Sequence, residues 1–138
     1  AGLADGDELR GEDPLRLRGV VALAGITDLA AYISPSGCGA AVPGLLGGLP
    51  DEHPERLRRA SPIAMVPFGV PVVLVTAEHD AIVPAEQAAV LVAAGAAAGD
   101  RVELREVPGA GHFELVDAAH PAFAVLRAAV LELLAAGP

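Results

Sequence analysis

The chain has 138 residues, 53% hydrophobic and 20% charged, which is too apolar for a disordered chain. Its apolar stretches are broken by Gly, Pro or charge well before the length of a membrane span, and no secretory signal is legible, so a cytoplasmic location is the expectation. Net charge is −9, every basic residue is Arg, and both signs are interspersed, so no basic face for nucleic acid can be assembled.

Residues 1–16 are rich in Gly and Asp and sparse in apolar side chains, and read as a surface linker or the tail of a helix. Residues 17–24 hold a short apolar run with Val20 and Val21 at its centre, which predicts a strand buried on both faces of a parallel sheet. From 25 to 69 the pattern dissolves among Pro35, Pro43, Pro50, Pro54, Pro62 and Pro67. One short helix fits within 51–60, with Pro54 in its first turn. An excursion this long is expected to be a lid or pocket wall.

Regular rhythm returns in 70–138. Residues 72–77 (VVLVTA) predict a buried strand. Residues 84–98 predict a helix, opened by Pro84 and closed by Gly99. Residues 102–107 set Val102, Leu104 and Val107 against Glu103, Arg105 and Glu106, as in a strand nearer a sheet edge. Residues 121–136 predict a helix with Phe123, Leu126, Val130, Leu133 and Leu134 on its core face. The order is α/β with a parallel sheet. Three strands leave a hydrophobic edge open, which points to a further N-terminal portion of the fold.

In such sheets the functional crevice lies beyond the C-terminal strand ends. Asp80 follows the strand at 72–77, and His112 follows the strand at 102–107. One helix and one strand separate them, so they belong on the same sheet edge, on loops after strands about 5 Å apart. Taken singly, Asp80 reads as a helix N-cap and His112 as an exposed loop residue. Taken together they predict a carboxylate that orients an imidazole, with Ile82 and Val83 shielding it and Gly109 and Gly111 shaping the turn.

The stretches Pro71-Val72-Val73-Leu74-Val75-Thr76-Ala77-Glu78-His79-Asp80-Ala81-Ile82-Val83-Pro84, then Gln87, then Val107-Pro108-Gly109-Ala110-Gly111-His112-Phe113 resemble the C-terminal half of α/β-hydrolases. The nearest branch is the esterase and prolyl-oligopeptidase type, close to kynurenine-formamidase-like and carboxylesterase-like enzymes. Gly47-Gly48-Leu49-Pro50 through Arg59-Ala60-Ser61-Pro62 resembles that branch's segment between its sixth and seventh strands. The resemblance runs from about Leu17 onward. It implies a partial α/β-hydrolase domain over 1–138, with Asp80 and His112 as acid and base of a Ser-His-Asp triad. It implies hydrolysis of a small ester or amide or of a peptide through an acyl-enzyme, and a substrate pocket touching Val83 and Phe113. It implies no metal, cofactor, nucleic acid or membrane partner.

The nucleophile in that fold sits in G-x-S-x-G, before the acid in chain order. The three serines, Ser34, Ser36 and Ser61, stand in no such motif, and the HGG-type oxyanion segment is absent. The resemblance therefore implies that nucleophile and oxyanion hole lie upstream, in an N-terminal half of the same fold, and that 1–138 alone is inactive. The alternatives are a non-catalytic pseudo-hydrolase or interaction module, or a half-enzyme completed by another chain. Cys38 has small neighbours and the right chain order, but Pro35 and Pro43 replace the strand and helix of an elbow. Ser61, before Pro62, reads as a turn residue. His53, His79 and His120 lack metal-ligand spacing, and Glu114 and Asp117 read as turn caps.

Overall fold

The computed structural model describes residue 13 and residues 15–136. Almost all of the linker expected at 1–16 lies outside the described residues. Three parallel strands, β1 (Val20–Leu23), β2 (Val72–Ala77) and β3 (Val102–Val107), form a sheet in the order β1-β2-β3. Val20 pairs with Val72, and Val72 with Val102, so the three C-terminal ends lie side by side. The sheet carries helices on both faces, an α/β architecture. None of the described helices is long and apolar enough to cross a membrane.

β2 is central. Five of its six residues are buried, because alternate side chains feed two separate clusters. Val72 and Leu74 pack on Ala88 and Leu91 of α4 (Ala85–Ala98). Val73, Val75 and Ala77 enter the larger cluster with Leu115, Ala122 and Ala129, the last on α5 (Phe123–Ala135). α4 ends where predicted, on left-handed Gly99, whose N–H returns to the carbonyls of Ala96 and Gly95. Gly95 lets α4 lie against β3, since a Cβ there would overlap the Val102 side chain.

Several expectations need correction. β1 is shorter than 17–24 and only half-buried, with Val20 exposed, because its outer edge has no neighbour among the described residues. In β3, strand parity puts Val102 and Leu104 on the face opposite Val107, and Leu104 stays exposed. Arg105 on the other face bridges Glu103 and Glu132 of α5. Of the stripe expected on α5, Leu133 packs on the core but Val130 and Leu134 do not. Ala129 is fully buried, Val125 and Leu133 pack beside it, and Val130, Leu131 and Leu134 are exposed. Helix and sheet approach closely here: a Cβ on Gly19 would strike Leu133.

The excursion from 25 to 69 is more helical than predicted. It holds α1 (Leu29–Tyr32), α2 (Val42–Leu46) and α3 (Pro54–Ala60), with single 3₁₀ turns at Gly37–Ala41 and Pro62–Met65. Only α3 corresponds to the helix expected in 51–60. The others are too short to show a period; α2 buries Val42 and Leu46 in the core, and polar contacts hold α1. Asp28 caps α1 by accepting from the Ala31 N–H. Buried Gln87 of α4 accepts through Oε1 from the N–H groups of Thr27 and Asp28, both at 2.8 Å. The Thr27 hydroxyl donates to the Gln87 carbonyl. Ser61, also buried, accepts from the Leu29 N–H at 3.1 Å and donates to the Thr27 carbonyl at 3.3 Å.

Candidate active site

Asp80 lies three residues past β2, on a bent segment leading into α4. Its side chain is 5% exposed. Oδ1 accepts from the N–H groups of Ile82 at 2.8 Å and Val83 at 2.9 Å. Oδ2 lies 2.8 Å from His112 Nδ1. Burial pushes the Asp80 carboxyl up, but the bonds from Val83, His112 and Ile82 outweigh it and hold the group below its ordinary value. The carboxylate is therefore ionised at neutral pH. The N-cap of α4 is Pro84, so Asp80 caps the turn before the helix rather than the helix itself.

His112 is brought in by the turn after β3. Gly109 adopts φ +68°, and its N–H donates to Glu78 Oε2 at 2.8 Å. The N–H groups of Glu78 and His79 donate to the carbonyls of Val107 and Ala110, which stitches the two loops together. Ala110 is fully buried beneath them. His112 then leads into a 3₁₀ turn, Phe113–Leu115, anchored by buried Leu115. With Nδ1 engaged by Asp80 and its side chain 26% exposed, the ring has Nε2 left for a further partner.

The structure thus joins Asp80 and His112 and distributes the other candidates elsewhere. Val83, expected to line the pocket, turns its side chain into the core and serves Asp80 through its N–H. Phe113 is 69% exposed and stands edge-on to His112, ring centroids 5.1 Å apart. A cavity of about 820 Å³ opens beside the acid loop, walled by Tyr32, Ile33, Cys38, Ile82, Pro84 and Glu86 among others. Exposed Cys38 lies in a 3₁₀ turn and not on a strand-to-helix elbow. Ser61 is a buried clamp, and the Ser34 hydroxyl donates to the Ser36 carbonyl at 2.6 Å. Asp117 caps the Ala119 N–H and His120 accepts from the Ala122 N–H at the approach to α5.

Sequence reasoning passed over Tyr32. Its ring is buried, and its hydroxyl donates to the Ile82 carbonyl at 2.9 Å. Burial, the neighbouring Cys38 and the Asp80 charge push its phenol above the ordinary tyrosine value. A buried Tyr with a polar tip nearly always has a partner, so the chain's single tyrosine was the available signal.

Parallel strands with crossover helices, and a carboxylate–imidazole pair at adjacent C-terminal strand ends, define an α/β-hydrolase. The model of the prolyl oligopeptidase family matches residues 10–128, and the chain belongs to that family of serine hydrolases. Among solved structures it is similar to a truncated carbohydrate esterase from gut microbiota, at 25% identity and TM-score 0.66, covering 85% of this chain and 42% of that one. It is similar in fold to an esterase of Thermogutta terrifontis, at 20% identity and TM-score 0.64, covering 98% of this chain and 47% of that one. It is also similar in fold to the acylaminoacyl peptidase of Pyrococcus horikoshii, at 19% identity and TM-score 0.61, covering 72% and 16%. The chain spans less than half the length of each of these proteins. No curated protein sequence matches it significantly.

Proposed function

We propose that the chain supplies the acid and the general base of a serine hydrolase acting on carboxylic ester, amide or peptide bonds. The observation that carries this reading is the 2.8 Å bond from His112 Nδ1 to a buried, doubly capped Asp80. In the proposed reaction Asp80 fixes the imidazole with its proton on Nδ1. His112 Nε2 removes the proton from a serine hydroxyl as that oxygen attacks the carbonyl carbon. The same Nε2 then protonates the departing alcohol or amine, and water releases the acyl group by the reverse sequence. The cavity beside the acid loop is the proposed pocket for one side of the scissile bond, with Glu86 at its wall.

The attacking serine, in this reading, is supplied by polypeptide outside residues 1–138, and the chain by itself is inactive. Three observations support it. No serine of the sequence stands in G-x-S-x-G. The similar esterases are more than twice as long. The outer edge of β1 and an apolar groove against α5, walled by Leu17, Val21, Leu126, Val130 and Leu134, leave room for a further strand and its cover.

The test is hydrolysis of p-nitrophenyl acetate and labelling by a serine-directed fluorophosphonate. Residues 1–138 alone show neither saturable turnover nor labelling. Joined to an elbow-bearing N-terminal half, the chain turns over, and His112→Ala lowers kcat by roughly 10⁴. Labelling of Ser34, Ser36 or Ser61, or full turnover in the His112→Ala protein, refutes the reading.

A further inference from the structure

We propose that Tyr32 is a positioning residue for the Asp80–His112 pair, holding the acid-bearing loop through the Ile82 carbonyl. The inference rests on the reading of that pair as acid and base, and adds the group that keeps it aligned. The Tyr32 hydroxyl donates to the Ile82 carbonyl at 2.9 Å, and the Ile82 N–H donates to Asp80 Oδ1 at 2.8 Å. Asp80 Oδ2 in turn meets His112 Nδ1. The Ile82 carbonyl shares its peptide unit with the Val83 N–H, which donates to Asp80 Oδ1 at 2.9 Å, so phenol, peptide, carboxylate and imidazole are linked in series.

The segment from Ala81 to Pro84 is neither helix nor strand. Its hold on the carboxylate consists of two N–H groups, whose direction depends on how the Ile82 peptides are turned. Fixing the carbonyl of Ile82 restricts that turning. A segment without such a tie opens at low cost. The tie itself has a firm base. α1, which ends in Tyr32, follows Thr27 and Asp28, and both are bound by Gln87 of α4. α4 is the helix into which the acid loop runs. The path from Asp80 through α4, Gln87, Asp28, α1 and Tyr32 returns to Ile82, so the acid loop is closed into a ring. Tyr32 and Ile82 also share the wall of the 820 Å³ cavity, which makes this tie part of the proposed pocket.

The experiment is NMR on residues 1–138, which need no nucleophile for it. The low-field Nδ1–H signal of His112 is assigned by its absence in His112→Gln. In the unaltered chain it is present, and Asp80→Asn abolishes it. In Tyr32→Phe the signal broadens or moves upfield, and the Ile82 and Val83 amides exchange about fivefold faster, as expected for loss of one hydrogen bond. The β2 amides, from Val73 to Val75, keep their exchange rates. A merely structural tyrosine would change the β2 amides and leave the His112 signal in place. As a second handle, 3-fluorotyrosine at this sole tyrosine is a stronger donor and slows exchange at Ile82 and Val83. Unchanged His112 signal and exchange in both altered proteins overturns the role of Tyr32 while leaving the pair intact. A His112 signal that is indifferent to Asp80→Asn overturns the acid–base reading itself.

Discussion

Replacing Asp80 by Asn separates the charge of the carboxylate from its shape. The Asn carbonyl oxygen can still accept from the Ile82 and Val83 N–H groups, which now meet a neutral acceptor in place of Oδ1. Charge-assisted bonds are roughly twice as strong as neutral ones. The amide NH₂ then faces His112 Nδ1, donor against donor. The imidazole resolves the clash by moving its proton to Nε2 and accepting at Nδ1, the tautomer that cannot take a proton from a nucleophile. Weakening two bonds and exchanging a third, set against the easier burial of a neutral amide, costs about 2 kcal/mol of stability. That lowers the urea midpoint by roughly 1 M.

The pH dependence gives the sharper readout. The folded-state value of Asp80 lies below the ordinary 3.8. Its ionisation therefore contributes stability that is fully present above 3.8 and is lost as pH falls through the lower folded-state value. Asn has no such titration. Urea unfolding of both proteins at neutral pH and at roughly pH 3 should show the gap between them narrowing in acid, since the other carboxylates are common to both. Nitrogen-15 shifts of the His112 ring should report protonated Nδ1 in the parent and protonated Nε2 in the variant. A stability gap of the same size at both pH values, with the His112 tautomer unchanged, would refute the reasoning.

Three further outcomes are expected. Gln87→Leu leaves the Thr27 and Asp28 N–H groups without their acceptor and should cost about 3 kcal/mol, read as a lower urea midpoint. Gly109→Ala meets no atom within 4 Å but forces a Cβ into φ +68°, so calorimetry should show a loss of about 1–2 kcal/mol from backbone strain alone. Tyr32 is the only tyrosine in a chain without tryptophan, so tyrosinate absorbance reports it alone. Its midpoint should lie above 10, and Asp80→Asn should bring it down, because the Asp80 charge is one of the causes that raise it. The stability that neutral Tyr32 contributes is complete below pH 10 and is lost as pH rises through the folded-state value.

What the sequence disclosed follows from which forces act locally. β2 was legible because a central parallel strand is buried on both faces, and VVLVTA has no other good use. α4 was legible because Pro84 and Gly99 mark its ends chemically. α1 and α2 were not, since four or five residues carry no period and their hold comes from residues distant in sequence, Gln87 and Ser61 for α1 and Arg56, which donates to the Leu46 carbonyl, for α2. α5 shows a different failure. Weighting large side chains selected Val130 and Leu134 for the core, whereas close approach to the sheet required Ala129. The meeting of Asp80 with His112 was legible because topology and flanking residues agreed. Val83 was named for its side chain, and the structure uses its backbone.

The capping of the turn by Asp80 and its bond to His112 are one arrangement. A carboxylate that only capped would be free to rotate its second oxygen toward water. One that only met the histidine would swing with a segment that has no regular structure. By accepting two N–H groups on Oδ1, Asp80 fixes the plane and heading of Oδ2, and Oδ2 fixes the imidazole. The Ile82 carbonyl and the Val83 N–H are two ends of one peptide, so the Tyr32 bond falls on a peptide that holds the carboxylate. Orientation therefore passes from buried side chains to a bent loop and then to a ring that is one-quarter exposed. This explains how a site at the strand tips, where packing is thinnest, keeps a defined geometry.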